Sequence, residues 1–134
     1  MSDKIFLDSN ILLYSIRESE QRKLLVARKL IEEQCVVSPQ VLFESLNVAL
    51  KEFKLSKEEA IRLVKDFARD HTVVAETIDV VTKAFELFEK LSISPYDSKI
   101  IAAALLSDCT ILYSEDLHHG LVIENKLRIV NPFL

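Results

Sequence analysis

At 134 residues, 49% of them hydrophobic, the chain is long enough for one domain with a sizeable core and too short to expect a second. Its single glycine, Gly120, excludes the phosphate loops of P-loop and dinucleotide-binding proteins, which need several positions without a side chain so that backbone N–H groups can approach phosphate. The net charge of -4 argues against holding nucleic acid by bulk electrostatics, and all of it arises after residue 70, where five Lys/Arg face nine Asp/Glu.

In chain order, KIFLD is a short β run ending in an acid, and NILLYSI continues into a helical turn. EQRKLLVARKLIEE, residues 20–33, sets Leu24, Ala27, Leu30 and Ile31 on one stripe of an amphipathic helix. CVVS reads as a buried strand, and Ser38 with Pro39 starts a helix that runs to about Phe53. Ser56 and Glu59 form a capping box for the next helix, which should turn Ile61, Val64, Phe67 and Ala68 inward. TVVA is a short strand, Thr77 caps a helix to about Lys90, and Ser94 with Pro95 opens another. TILYS and LRIV read as the remaining strands. Short apolar strands alternate with helices and no β-hairpin dipeptide joins them. The expected fold is therefore α/β, a three-layer sandwich with a mainly parallel central sheet flanked by helices, in a single domain spanning 1–134.

Cys35 and Cys109 each open a short apolar run and read as small core residues. His71, at a helix end, reads as a cation-capable group beside the helix C-terminus. No apolar run is long enough to span a membrane and no secretory signal pattern is present, so a soluble, cytoplasmic protein is expected.

In open α/β sheets, ligands bind at the carboxyl ends of the strands. Asp8 follows the first strand directly, and Asp116 follows TILYS after two residues. Asp97 starts the helix leading into TILYS, and Glu44 sits in the helix after CVVS among Val41, Leu42, Phe43, Leu46 and Val48. Each acid alone has a structural explanation as a cap, a turn residue or a polar flank. Four at one sheet edge, with few lysines or arginines nearby in sequence, need compensation, and divalent cations would supply it. Oxygen ligands without histidine or cysteine suit Mg²⁺ or Mn²⁺ rather than zinc, and such a cluster can activate water against a phosphodiester.

FLDSNILLY, VLFESLNVAL, SPYDSKIIAAAL and LYSEDLHHGLVIENKLRIVNPF, taken together and in this order, resemble the PIN-domain family, and within it the VapC-type toxin ribonucleases. The resemblance implies that Asp8, Glu44, Asp97 and Asp116 are the catalytic acids around Mg²⁺ or Mn²⁺. It also implies that Asn10 and Ser114 occupy supporting polar positions next to Asp8 and Asp116. It further implies metal-dependent endoribonuclease activity leaving a 5′-phosphate and a 3′-hydroxyl, a homodimer, and a small antitoxin partner. Lys99 departs from a family position that is usually apolar and is expected on the solvent side of its helix. His118 and His119 are not needed by a metal mechanism. Housekeeping RNA processing and a catalytically silent PIN-like module remain as alternatives. A phosphate-accepting receiver domain is disfavoured, because Asp8 is followed by Ser9 and no lysine ends LRIV. Exposed apolar positions on the helices from Glu20 and Ser56 are candidate surfaces for dimer or antitoxin.

Overall fold

A computed structural model describes residues 3–134. Twelve elements follow one another: β1 (Ile5–Leu7), α1 (Ser9–Tyr14), α2 (Gln21–Leu30), β2 (Val36–Val37), α3 (Pro39–Lys51), α4 (Lys57–Asp70), β3 (Thr72–Val73), α5 (Ile78–Lys90), α6 (Pro95–Leu106), β4 (Ile111–Tyr113), β5 (Val122–Ile123) and β6 (Leu127–Val130). The strands form one sheet in the order β3-β2-β1-β4-β6-β5, parallel throughout except for the β5–β6 pair. Neighbouring residues of a strand point to opposite faces, and Phe6, Leu7, Val36 and Val37 are all buried. Helices therefore cover both faces of the sheet centre, as the sandwich expectation requires.

The helix starts follow the local chemistry of the sequence. Ser38, Thr77 and Ser94 each accept a hydrogen bond from a first-turn backbone N–H, and Ser56 and Glu59 complete a reciprocal capping box. α6 is buried along most of its length, with Ile100, Ile101, Ala102, Ala103, Ala104 and Leu105 all inside, which explains its near-continuous apolar sequence. Both cysteines are free and buried, and burial pushes each thiol up to about 11, as core residues should behave.

Three expectations need correction. A hairpin does join β5 to β6, through Glu124 and Asn125 at φ 54° and 55°, with Lys126 N–H donating to the Ile123 carbonyl at 3.0 Å. Two consecutive left-handed residues make this a primed turn, built here without glycine. Ile61 is 45% exposed, because the inward stripe of α4 runs through Ala60 and Phe67 instead. His71 is no surface cation: it is buried, its Nδ1 accepts from Cys35 N–H at 3.0 Å, and burial holds its pKa below the ordinary value. The imidazole is a neutral acceptor tying the end of α4 to the start of β2.

The order of strands places a switch point between β1 and β4. The chain winds outward from β1 to β2 and β3 on one side, and the other half extends from β4 to β6 and β5. That crevice is where such sheets seat ligands. Ile101 of α6 lies at 0% exposure in the core, and Ile101→Ala should cost roughly 2–5 kcal/mol in chemical denaturation, with an unchanged denaturant slope.

Candidate active site

Asp8 ends β1 and caps α1. Its backbone N–H extends the ladder to Tyr113 O at 3.1 Å, which fixes the residue at the crevice. Its side chain is buried, with Oδ1 accepting from Ser9 N–H at 2.8 Å and Oδ2 from the Ser114 hydroxyl at 2.8 Å. Ser114 follows β4 and is itself fully buried. Its Oγ accepts from the backbone N–H groups of Asp116 and Leu117 at 3.2 and 3.3 Å. One hydroxyl thereby connects the first acid to the turn carrying Asp116. Asn10 closes the same link from the other side, donating from Nδ2 to Asp116 Oδ2 at 3.1 Å and accepting from Glu115 N–H at 3.2 Å.

Asp97 and Glu44 come from helices. A helix that leads back to the start of a parallel strand has its own N-terminus at the strands' carboxyl edge, so the first turn of α6 presents Asp97 there. Its backbone N–H is satisfied by Ser94 Oγ at 3.1 Å. Asp97 and Asp116 line one open cleft of about 760 Å³ together with apolar side chains such as Phe88 and Leu91. Glu44 lies in α3, and its Oε1 is buried without a hydrogen-bond partner. Gln40, one turn earlier on the same helix, also has a buried unpartnered oxygen, while its Nε2 donates to the Tyr96 carbonyl at 3.0 Å. Sequence reasoning missed Gln40, although its i, i+4 spacing from Glu44 puts both on one helix face.

Asp8 and Glu44 register the charges of the other acids. Burial pushes Asp8 up to about 6, with Asp116 and Asp97 adding to the rise against the hydrogen bonds from Ser114 and Ser9. Glu44 is pushed up to about 7, first by burial and then by the charge of Asp8, against the opposing pull of the Gln40 side-chain amide, with Asp97 and Asp116 adding smaller rises. Among the described residues, no ion pair includes Asp8, Glu44, Asp97 or Asp116. Lys23 and Lys99 are spent elsewhere. Lys23 is held by Glu115 and by the Tyr14 hydroxyl, and Lys99 pairs with Glu76 at 2.8 Å. Lys99 is thus a half-buried, paired cation and not the solvent-facing side chain expected.

This donor set fits a hard divalent cation: carboxylate oxygens, no cysteine or histidine among them, and one buried oxygen with no other partner. Among the described residues no three His, Cys, Asp or Glu side chains form a ready metal cage; Asp97 and Asp116 share the open cleft, and Asp8 is buried beside Asp116 through Ser114 and Asn10. His118 borders the cleft, whereas His119 Nδ1 accepts from Asn131 N–H at 2.9 Å, a structural task. No helix among the described residues is long and apolar enough to cross a membrane.

A family model described as PIN domain matches residues 5–121. No curated protein sequence matches the chain. Among solved structures, a toxin–antitoxin complex from Klebsiella pneumoniae is similar at TM-score 0.69 and 20% identity, covering 96% of this chain and 98% of that one. The sarcin–ricin-loop-cleaving VapC toxin of Mycobacterium tuberculosis gives TM-score 0.66 at 16% identity, covering 84% and 90%. DNA-bound VapBC from Salmonella typhimurium gives 0.69 at 20%, covering 96% and 97%. At these identities the likeness establishes a shared fold.

The raised carboxylates have a consequence for stability. A carboxyl group whose folded pKa lies above its unfolded value stabilises the fold below the unfolded pKa and loses that contribution as pH rises through the folded one. Asp8, raised from 3.8 to about 6, and Glu44, raised from 4.5 to about 7, therefore make the cation-free protein less stable from about pH 4 to pH 7. In chelator, the melting temperature should fall by several degrees over that window, and a flat or rising profile would contradict it.

Proposed function

The chain belongs to the PIN-domain family, and from that premise we propose that it is a metal-dependent endoribonuclease, the toxin of a toxin–antitoxin pair. The observation that carries this reading is the set of four carboxylates at the switch point, with no cation paired to any of them among the described residues. The toxin assignment is supported by structural neighbours that include a toxin–antitoxin complex and a toxin that cleaves the sarcin–ricin loop. Those neighbours also support a small antitoxin as partner. The homodimer and the cytoplasmic location rest on the family resemblance.

In the proposed mechanism Asp8, Glu44, Asp97 and Asp116 would hold one or two Mg²⁺ or Mn²⁺ ions. Such ions would neutralise the crowded acids, acidify a water and offset charge on the leaving oxygen. The chain's own residues do the positioning. Ser114 and the Ser9 N–H fix both oxygens of Asp8, and Asn10 fixes Oδ2 of Asp116, so two of the acids are oriented before substrate arrives. Glu44 Oε1 has no other hydrogen-bond partner and is free to face the incoming cation or the attacking water. Water's oxygen bonds to phosphorus and the P–O3′ bond breaks. Of the water's two protons, one would pass to a carboxylate of the site and the other to the departing 3′ oxygen, leaving the water oxygen on a 5′-phosphate and giving a 3′-hydroxyl.

Purified protein incubated with single-stranded and structured RNAs should cleave in Mg²⁺ or Mn²⁺ and stop in EDTA, and Asp97→Asn should lose on the order of 100-fold or more. Cleavage indifferent to chelation and to Asp97→Asn would sink the mechanism. Ser114→Ala removes the hydroxyl joining Asp8 to the Asp116 turn. It should reduce cleavage by ~10–100-fold, the usual effect of losing a ligand's supporting hydrogen bond, and weaken Mn²⁺ binding in parallel.

A further inference from the structure

The acids that would hold cations also repel the RNA on either side of the cut, and a protein of net charge -4 offers no general attraction to offset this. Any compensation has to be local. Beside the acids, a small polar cavity of about 180 Å³ has Asn10, Glu115 and Asp116 among its lining residues, together with Tyr14, Arg17 and Glu52. Asp116 also borders the larger cleft it shares with Asp97, so the two concavities meet at one acid.

Most cations near this cavity are committed. Lys23 is held by Glu115 and Tyr14, Arg28 Nε donates to the Ser15 carbonyl at 2.8 Å, and Arg22 Nη1 donates to the Phe133 carbonyl at 2.9 Å. Arg17 differs. Its Cζ lies 4.7 Å from the Phe53 ring centroid and 5.7 Å from that of Tyr14, so the guanidinium is supported by aromatic rings. Its ion-pair partner among the described residues is Glu52, at 3.7 Å from Nη2 and with a side chain 58% exposed, too distant for a hydrogen bond. A guanidinium resting on rings keeps its in-plane N–H donors for another acceptor, and phosphate oxygens match that fork in charge and geometry.

We propose that Arg17 is a substrate-positioning residue whose guanidinium takes an RNA phosphate flanking the scissile one, holding the strand across Asp116. This rests on the nuclease reading. Glu52 then acts as a weak competitor that occupies Arg17 until RNA displaces it. A purely structural Arg17, pinning the end of α1 to the end of α3 through Phe53, would affect stability but not the salt dependence of RNA binding.

The test measures binding of a fluorescein-labelled single-stranded oligoribonucleotide to the full chain, with Ca²⁺ in place of Mg²⁺, across about 50–200 mM salt. Arg17→Ala should weaken binding about tenfold and reduce the slope of log affinity against log salt by about 0.7, the share of one single-strand phosphate contact. Arg17→Lys should keep the slope while losing part of the affinity, and Glu52→Gln should tighten binding about twofold. In Mg²⁺, Arg17→Ala should raise KM about tenfold with kcat within about threefold. An unchanged slope in Arg17→Ala, or an Arg17→Lys slope as low as that of Arg17→Ala, overturns the assignment even if wild type cleaves normally. A reduced slope with no metal-dependent cleavage by wild type would retain Arg17 as a phosphate contact and remove the nuclease reading. Absence of RNA binding by wild type would overturn the assignment.

Discussion

Both oxygens of Asp8 are engaged at the end of β1, one by the next residue's backbone and one by a serine 106 positions away, inside a site where burial penalises its charge. The arrangement looks unfavourable for folding alone, since a buried carboxylate with other carboxylates nearby gains little from staying ionised. The two hydrogen bonds favour the ionised form and pull against burial, yet Asp8 still stands at about 6. A group held in place but short of counter-charge suits the cation proposed for it. Much of the site's architecture follows from keeping that group oriented.

The sheet supplies the orientation. β1 and β4 are adjacent and parallel, with Leu7 opposite Tyr113, so the residues that follow them emerge side by side. Ser114, Asn10 and the backbone N–H of Asp116 then join the two exits through hydrogen bonds of 2.8 to 3.2 Å. α3 brings Glu44 to this edge because it starts directly after β2, and α6 brings Asp97 there because it leads back to the start of β4. Strands of two to four residues suffice, since their task is to fix direction at a buried centre while α6 fills the core.

Much of this was legible in the sequence, and the reasons are local. Ser38, Ser56, Thr77 and Ser94 signal helix starts because their side chains satisfy N–H groups a few residues on, an interaction fixed by spacing alone. The acids were visible because a parallel sheet gives its carboxyl edge a fixed meaning. The hairpin at Glu124 and Asn125 was not visible, because neither residue is glycine and the left-handed turn is held by its flanking strands. His71 reversed its expected role because tertiary burial, which no local pattern encodes, outweighed the helix terminus. Ile61 faces outward because a capping box fixes where α4 begins but not its rotation against α3. Arg17 and Gln40 gave no signal of chemistry in the sequence. Their significance lies in what they touch and in what their polar atoms leave unsatisfied.

The central claim is that four side chains distant in sequence form one cation site. The most direct measurement is diffraction from crystals grown with Mn²⁺, collected where manganese scatters anomalously. The account predicts an anomalous peak among Asp8, Glu44, Asp97 and Asp116, with carboxylate oxygens at roughly 2.0–2.3 Å from it. Crystals saturated with Mn²⁺ that show no peak there, or a peak held by other residues while these four stay apart, would contradict it.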